Sequence, residues 1–196
     1  MSSWGAVEGS ESLPKFLTTA QQKDVFANQS GWVVEAGSAM TGNGNTSADP
    51  EILVAIGGLA GASGTTGLGE ATINTVDWNI TTFDKSAGGT LSVTVRYNET
   101  VTVAVSNPTI IVTNDQRANH TLTYASGTGT HELTFTLAIA GGNSATDADD
   151  VLSIAAQSIV LASSSTIKDT SDTPANAELA ISSAQGTACG TITVVA

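Results

Sequence analysis

Positive charge is scarce in this chain. Six Lys and Arg residues stand against 18 Asp and Glu, for a formal net charge of −12 and an isoelectric point near 4.1. No cluster of basic side chains is present that could neutralise a run of phosphates, which excludes nucleic-acid binding through the backbone and disfavours anionic membrane surfaces. Charge of either sign is sparse: 12% of residues are charged, against about 25% in an ordinary soluble domain. Cysteine is nearly missing. The single thiol, Cys189, cannot close an internal disulfide, so a bridge-stapled secreted domain is excluded and assembly in a reducing cytoplasm is natural. No stretch reaches the roughly 18 continuous apolar residues of a membrane-spanning helix. The opening Met1-Ser2-Ser3-Trp4-Gly5 has neither the basic region nor the apolar stretch of a signal peptide. If the protein is found outside a cell, release by lysis or as part of a particle is the expectation.

What remains is a composition dominated by Thr, Ser, Ala, Gly and Val, which belongs to a strand-rich, loop-rich chain rather than to a helical enzyme. A length of 196 residues accommodates one sandwich of about 100 residues with an accessory segment. The chain divides accordingly into an N-terminal arm and docking segment over 1–50, a strand and Gly-rich connection over 51–71, and a β-sandwich over 72–196. In the arm, Thr18 followed three residues later by Gln21 is a capping signature, and predicts a short helix through Lys23-Asp24-Val25-Phe26. Trp32-Val33-Val34 reads as a short strand. Gly42, Asn43, Gly44 and Asn45 make a linker that lets the first ~35 residues move independently of the sandwich, to be ordered by a partner. Ile52 to Ile56 is a continuous apolar run of strand length. The glycines from Gly57 to Gly69 resemble a phosphate-binding loop only superficially, because the Lys-Ser/Thr ending is missing.

From about Ile73 onward, period-two alternation is clear. Leu91, Val93 and Val95 alternate with Ser92, Thr94 and Arg96, and Val101, Val103 and Val105 with Thr102, Ala104 and Ser106. Tyr97-Asn98-Glu99-Thr100 between them makes the pair either a hairpin or one bulged strand. Pro108 precedes a further strand at Thr109-Ile110-Ile111-Val112, since proline is tolerated at strand starts. Leu122 and Tyr124 follow, then a Ser126-Gly127-Thr128-Gly129 turn, then an inward face of Leu133, Phe135, Leu137 and Ile139. Ser158 to Leu161 and Gly190 to Val195 complete about seven short strands. That spacing predicts an all-β, immunoglobulin-like β-sandwich behind a small N-terminal arm, with Val93, Val95, Val103, Leu122, Phe135, Leu137 and Ile159 in its core. Cys189 reads as a small buried residue of the last strand.

Gly89-Thr90-Leu91-Ser92-Val93-Thr94-Val95, Glu99-Thr100-Val101-Thr102-Val103, Asn107-Pro108-Thr109-Ile110 and the stretch from Leu122 to Phe135 resemble the bacterial Ig-like repeats of large cell-surface and adhesin proteins of cyanobacteria. Asp147-Ala148-Asp149-Asp150 and Thr166-Ile167-Lys168-Asp169 fit the same pattern, so the likeness spans roughly Thr72 to Leu179. Trp4-Gly5, Ser12-Leu13-Pro14-Lys15-Phe16-Leu17, Val25-Phe26-Ala27-Asn28 and Gly31-Trp32-Val33 resemble the opening of virion structural proteins from contractile-tailed phages of marine cyanobacteria. Leu13 departs from that pattern, which has a basic or polar residue before the proline. The resemblance implies a virion structural role, foremost a capsid decoration protein docked on the head lattice, with a phage major capsid or other virion protein as partner, assembly in the host cytoplasm and a homo-oligomer as an option. A tail or neck protein, or a glycan-binding adhesive module, is the alternative. Neither family brings catalytic residues.

No catalytic set stands out from the residues themselves. His120 and His131 each lie near a turn without a second ligand at metal spacing, and read as exposed strand residues. No nucleophile-elbow sequence singles out a serine. Asp147, Asp149 and Asp150 read first as a solvated inter-strand loop and second as a weak calcium site, because hard cations take several carboxylate oxygens on a flexible loop; no other cofactor is implied. Asp169 and Asp172 add ligands only if the fold brings them alongside. Trp4, Phe16, Phe26 and Trp32 are the candidate partner-binding residues, since a segment this small cannot bury all its aromatics and exposed aromatics anchor interfaces.

Overall fold

The computed structural model describes residues 13–61, 67–105, 107–162, 164–171 and 173–196. The first strands form a small unit. A single 3-10 turn, Gln21–Asp24, leads into β1 (Val25–Asn28), β2 (Gly31–Val34) and, after a long loop, β3 (Glu51–Ala55), paired antiparallel in that order. The capping signature is real: Thr18 Oγ1 accepts from the Gln21 amide at 3.3 Å, and Gln21 Oε1 accepts from the Thr18 amide at 2.9 Å. The predicted helix stops at Asp24 because Val25 and Phe26 enter the ladder, where β-branched and aromatic side chains pack better. Gly31 closes the β1–β2 turn with φ +133°, and a Cβ there would run into the Val54 carbonyl of β3.

The sandwich begins with β4 (Ile73–Trp78) and the two-residue β5 (Phe83–Asp84), followed by the 17-residue β6 (Gly88–Ala104). Tyr97-Asn98-Glu99-Thr100 is therefore no turn: β6 runs straight through it, and the pairing with its neighbour shifts register between Arg96 and Val101. Then come β7 (Thr109–Asn114), β8 (His120–Ser126), β9 (Thr130–Ala140), β10 (Val151–Ser153), β11 (Gln157–Ser158), β12 (Thr166–Asp169) and β13 (Ala180–Ile181). A seven-residue helix α1 (Ser183–Cys189) and β14 (Thr191–Val195) end the chain. The main sheet runs β3-β2-β1-β6-β9-β8-β7-β10-β14-β5, with β4 and β12 also on β6, and β11 pairs β13 apart from it. Inward residues of β10 and β14 (Leu152, Ile192, Val194) meet those of β4, β6, β8 and β9 (Val76, Val93, Leu122, Phe135) in one core. The chain is an all-β sandwich with a small N-terminal segment.

The expected inward residues lie inside, but Val105 is exposed and Thr94, on the opposite face of β6, is buried as well. Val93, Val95, Leu122, Phe135 and Ile159 are buried, while Val103 and Leu137 are half-buried against the same core. The C-terminal stretch differs. Ser182 Oγ accepts from the Gln185 amide at 3.2 Å and Gln185 Oε1 from the Ser182 amide at 2.7 Å. This reciprocal cap nucleates α1, so Cys189 ends a helix, half-buried, instead of lying in the last strand.

The N-terminal segment is not an independent arm. β1 pairs in parallel with β6 at Ala27 and Glu99, and Lys23 forms an ion pair with Asp77 of β4. Trp32, at 3% exposure, fills a second small core with Leu17, Val25, Val34 and Leu59, and Phe26 is buried against the sandwich. β3, which belongs to the 51–71 connection in the sequence reading, completes this core's sheet. Three strands supply what a bare arm lacks, an apolar face to cover its aromatics. Phe16 is 69% exposed, and Trp4 lies outside the described residues.

Candidate functional site

The seam between β1–β3 and the sandwich brings His131, Glu132 and Glu35 together. His131 is the second residue of β9, shortly after the Gly127-Thr128-Gly129 turn, and contrary to its expected exposure it is 3% exposed. The Phe26 ring stacks on the imidazole at 4.4 Å between centroids and 14° between planes. Its Nε2 lies 3.3 Å from the Lys23 carbonyl and 3.7 Å from Glu35 Oε2. Both neighbours are acceptors, so without another ion the neutral ring carries its proton on Nε2 and donates it to that carbonyl. Burial lowers the affinity of the ring for a second proton.

Glu132 pairs across the sheet with Arg96, whose Nε donates to Glu132 Oε1 at 2.5 Å and whose Nη1 donates to Asp77 Oδ2 at 2.7 Å. Glu35, just past β2, has its carboxyl pushed up to about 7, first by burial and then by the Glu132 and Asp24 carboxylates, with Arg96 opposing. Donor atoms of Glu35, His131 and Glu132 all lie within 4.8 Å of one another. A cleft of about 480 Å³ opens on them, lined also by Phe26, Thr100 and Thr130.

The acidic loop looks different from its sequence. Asp147 bridges Lys85 and Arg117, both at 2.5 Å, and these cations together with the Ala148 amide hold its carboxyl down at about 2. Asp150 is buried; its Oδ2 accepts from Asn114 Nδ2 and from the Asp147 amide, each at 2.8 Å, with Arg117 Nε 3.6 Å away. Asp149 takes a left-handed φ of +68° and ties the loop to β14 through its amide and the Val194 carbonyl. Both Asp147 carboxylate oxygens and Asp150 Oδ2 are thus engaged by the protein's own donors, whereas Asp150 Oδ1 is buried without a hydrogen-bond partner. Asp169 sits by the far end of β6, and Asp172 lies outside the described residues.

Asp169 forms the third acidic site with Glu99. Asp169 is buried and accepts from the Ser171 and Ala175 amides, each at 3.0 Å. Glu99 is 2% exposed, and burial followed by the Asp169 charge pushes its carboxyl up to about 8. It is therefore mainly protonated at neutral pH and calls for no cation. His120, the other histidine, is also buried, near Asp150.

Sequence reasoning missed the seam for a topological reason. The His131-Glu132 dipeptide is visible, but Glu35 and Lys23 come from a segment separated from it by the first half of the sandwich. Comparison of the chain with protein-family models, with curated proteins and with solved structures returns no match.

Proposed function

We propose that this chain is a structural protein of a virus particle, most specifically a capsid decoration protein whose N-terminal unit docks on the head lattice and whose sandwich is displayed. The observation that carries the reading is Phe16. Every other aromatic residue among those described is buried or half-buried, whereas Phe16 is 69% exposed on the N-terminal unit. Ile52, on the outermost strand β3, is 58% exposed. A bare aromatic on an outlying unit is the usual form of an interface anchor, and the likeness of the N-terminal segment to openings of contractile-tailed phage virion proteins supports a particle as its setting. Phe26 and Trp32, spent on the interior, leave the anchoring set.

A major capsid protein or another virion protein is the partner in this reading, with assembly in the host cytoplasm. The test is co-sedimentation of purified chain with particles lacking it. Wild type is expected to pellet at saturable stoichiometry, and Phe16→Asp to remain in the supernatant with an unchanged circular-dichroism spectrum. Recovery of wild type only from soluble lysate would remove the proposal.

A further inference from the structure

The seam carries more negative charge than its own bases neutralise. Asp24, Glu35, Asp77 and Glu132 gather there around Lys23 and Arg96, so among the described residues two carboxylate charges are left over when Glu35 is ionised, and one when it is protonated. Such a surplus in a partly buried site is relieved by protons or by a cation. The donor atoms favour a particular cation. One imidazole nitrogen and two carboxylates are a mixed nitrogen–oxygen set, which suits a borderline transition metal; calcium would need six to eight oxygens.

The spacing agrees. An ion held tetrahedrally by bonds of about 2.0–2.2 Å places its ligand atoms about 3.3–3.6 Å apart. His131 Nε2 is already 3.7 Å from Glu35 Oε2 and 3.3 Å from the Lys23 carbonyl oxygen. The Phe26 stack fixes the plane of the imidazole. Arg96 anchors Glu132 through Oε1 and leaves its second oxygen for the ion, an outer-sphere arrangement common around metal ligands. The cleft lined by the same residues supplies the entry path.

We propose that Glu35, His131 and Glu132, with the Lys23 carbonyl oxygen as fourth donor, bind one divalent transition-metal ion of the zinc type. The ion takes the place of the Nε2 proton, which the neutral ring then carries on Nδ1, and any proton on Glu35 leaves to solvent. Lys23 and Glu35 belong to the N-terminal unit and His131 and Glu132 to β9, so the ion clamps the two together. The inference does not depend on the virion reading.

Isothermal titration of the full chain with zinc chloride tests it, beside calcium chloride and with the variants Glu35→Gln, His131→Gln, His120→Gln and Cys189→Ser. One zinc per chain is expected, at least tenfold weaker in Glu35→Gln and His131→Gln and unchanged in the two controls, with a rise in Tm that chelator reverses. Cobalt is expected to give the intense visible absorption of a four-coordinate site. Glu35 is partly exposed, so its variant keeps the test valid if His131→Gln does not fold. Absence of saturable binding, equal binding of calcium, or zinc affinity unaltered in Glu35→Gln would overturn the site.

Discussion

Phe135 lies fully buried at the middle of β9, edge-on to Tyr124 with ring centroids 6.1 Å apart. Truncating it to alanine removes the ring and leaves a cavity that rigid strands on both sides cannot close, so Phe135→Ala should cost about 3–5 kcal/mol by denaturant unfolding. Leu137, two residues on and half-buried, should cost less. Glu99 offers a pH test. Its carboxyl is raised to about 8 in the fold by burial and the Asp169 charge, against an ordinary value of 4.5. A raised carboxyl favours the fold while protonated; its contribution is complete below about 4.5 and is lost as pH climbs through about 8. Glu99→Gln should therefore flatten the decline of Tm between pH 5 and 8 and be more stable than wild type at pH 8.5. A parallel decline in both proteins would show that Glu99 does not drive it. The core residue was legible from alternation alone. The buried acid was not, because a lone glutamate in a Thr/Val strand looks the same whether its face meets water or a neighbouring strand.

At the scale of elements, the same contrast recurs. Strands announced by alternation are present, and β6 resolves the hairpin-or-bulge ambiguity in favour of a bulge because Tyr97 is wholly buried, its hydroxyl donating to the Glu178 carbonyl at 3.0 Å. Helix α1 carries its own sequence signal: Ser182 followed by Gln185 is the same capping pattern as Thr18 with Gln21. Ser182→Ala should cost about 1 kcal/mol through loss of this cap. Gly186→Ala should cost more than its gain in helix propensity, because a Cβ there meets the Ile154 carbonyl oxygen. Thermal melts of the two variants check both, and a stabilised Gly186→Ala would show that Ile154 yields easily.

For the whole molecule, the question is how firmly the N-terminal unit is attached, and the sequence was least legible here. A Gly/Asn linker after Trp32 suggested freedom, but Gly42 to Asn45 lie inside the unit, between β2 and β3, and do not separate it from the sandwich. Order comes from long-range contacts that no local pattern encodes: the Ala27–Glu99 bridge, the Phe26–His131 stack and the Lys23–Asp77 pair. The two apolar cores share no residue, so a chain starting at Gly69 should still fold around the larger one. It should melt at lower temperature, since Phe26 no longer covers His131 and the Ala27 partner of Glu99 is gone. Lys23 and Asp77 are only partly shielded, at 36% and 19% side-chain exposure, so their share of the loss is screened and should shrink as salt rises. The stacking and strand pairing are insensitive to salt, and most of the difference in Tm between the two chains should persist at 1 M sodium chloride. Equal Tm values at low salt would mean that the unit contributes nothing to the sandwich and behaves as the free arm the sequence suggested.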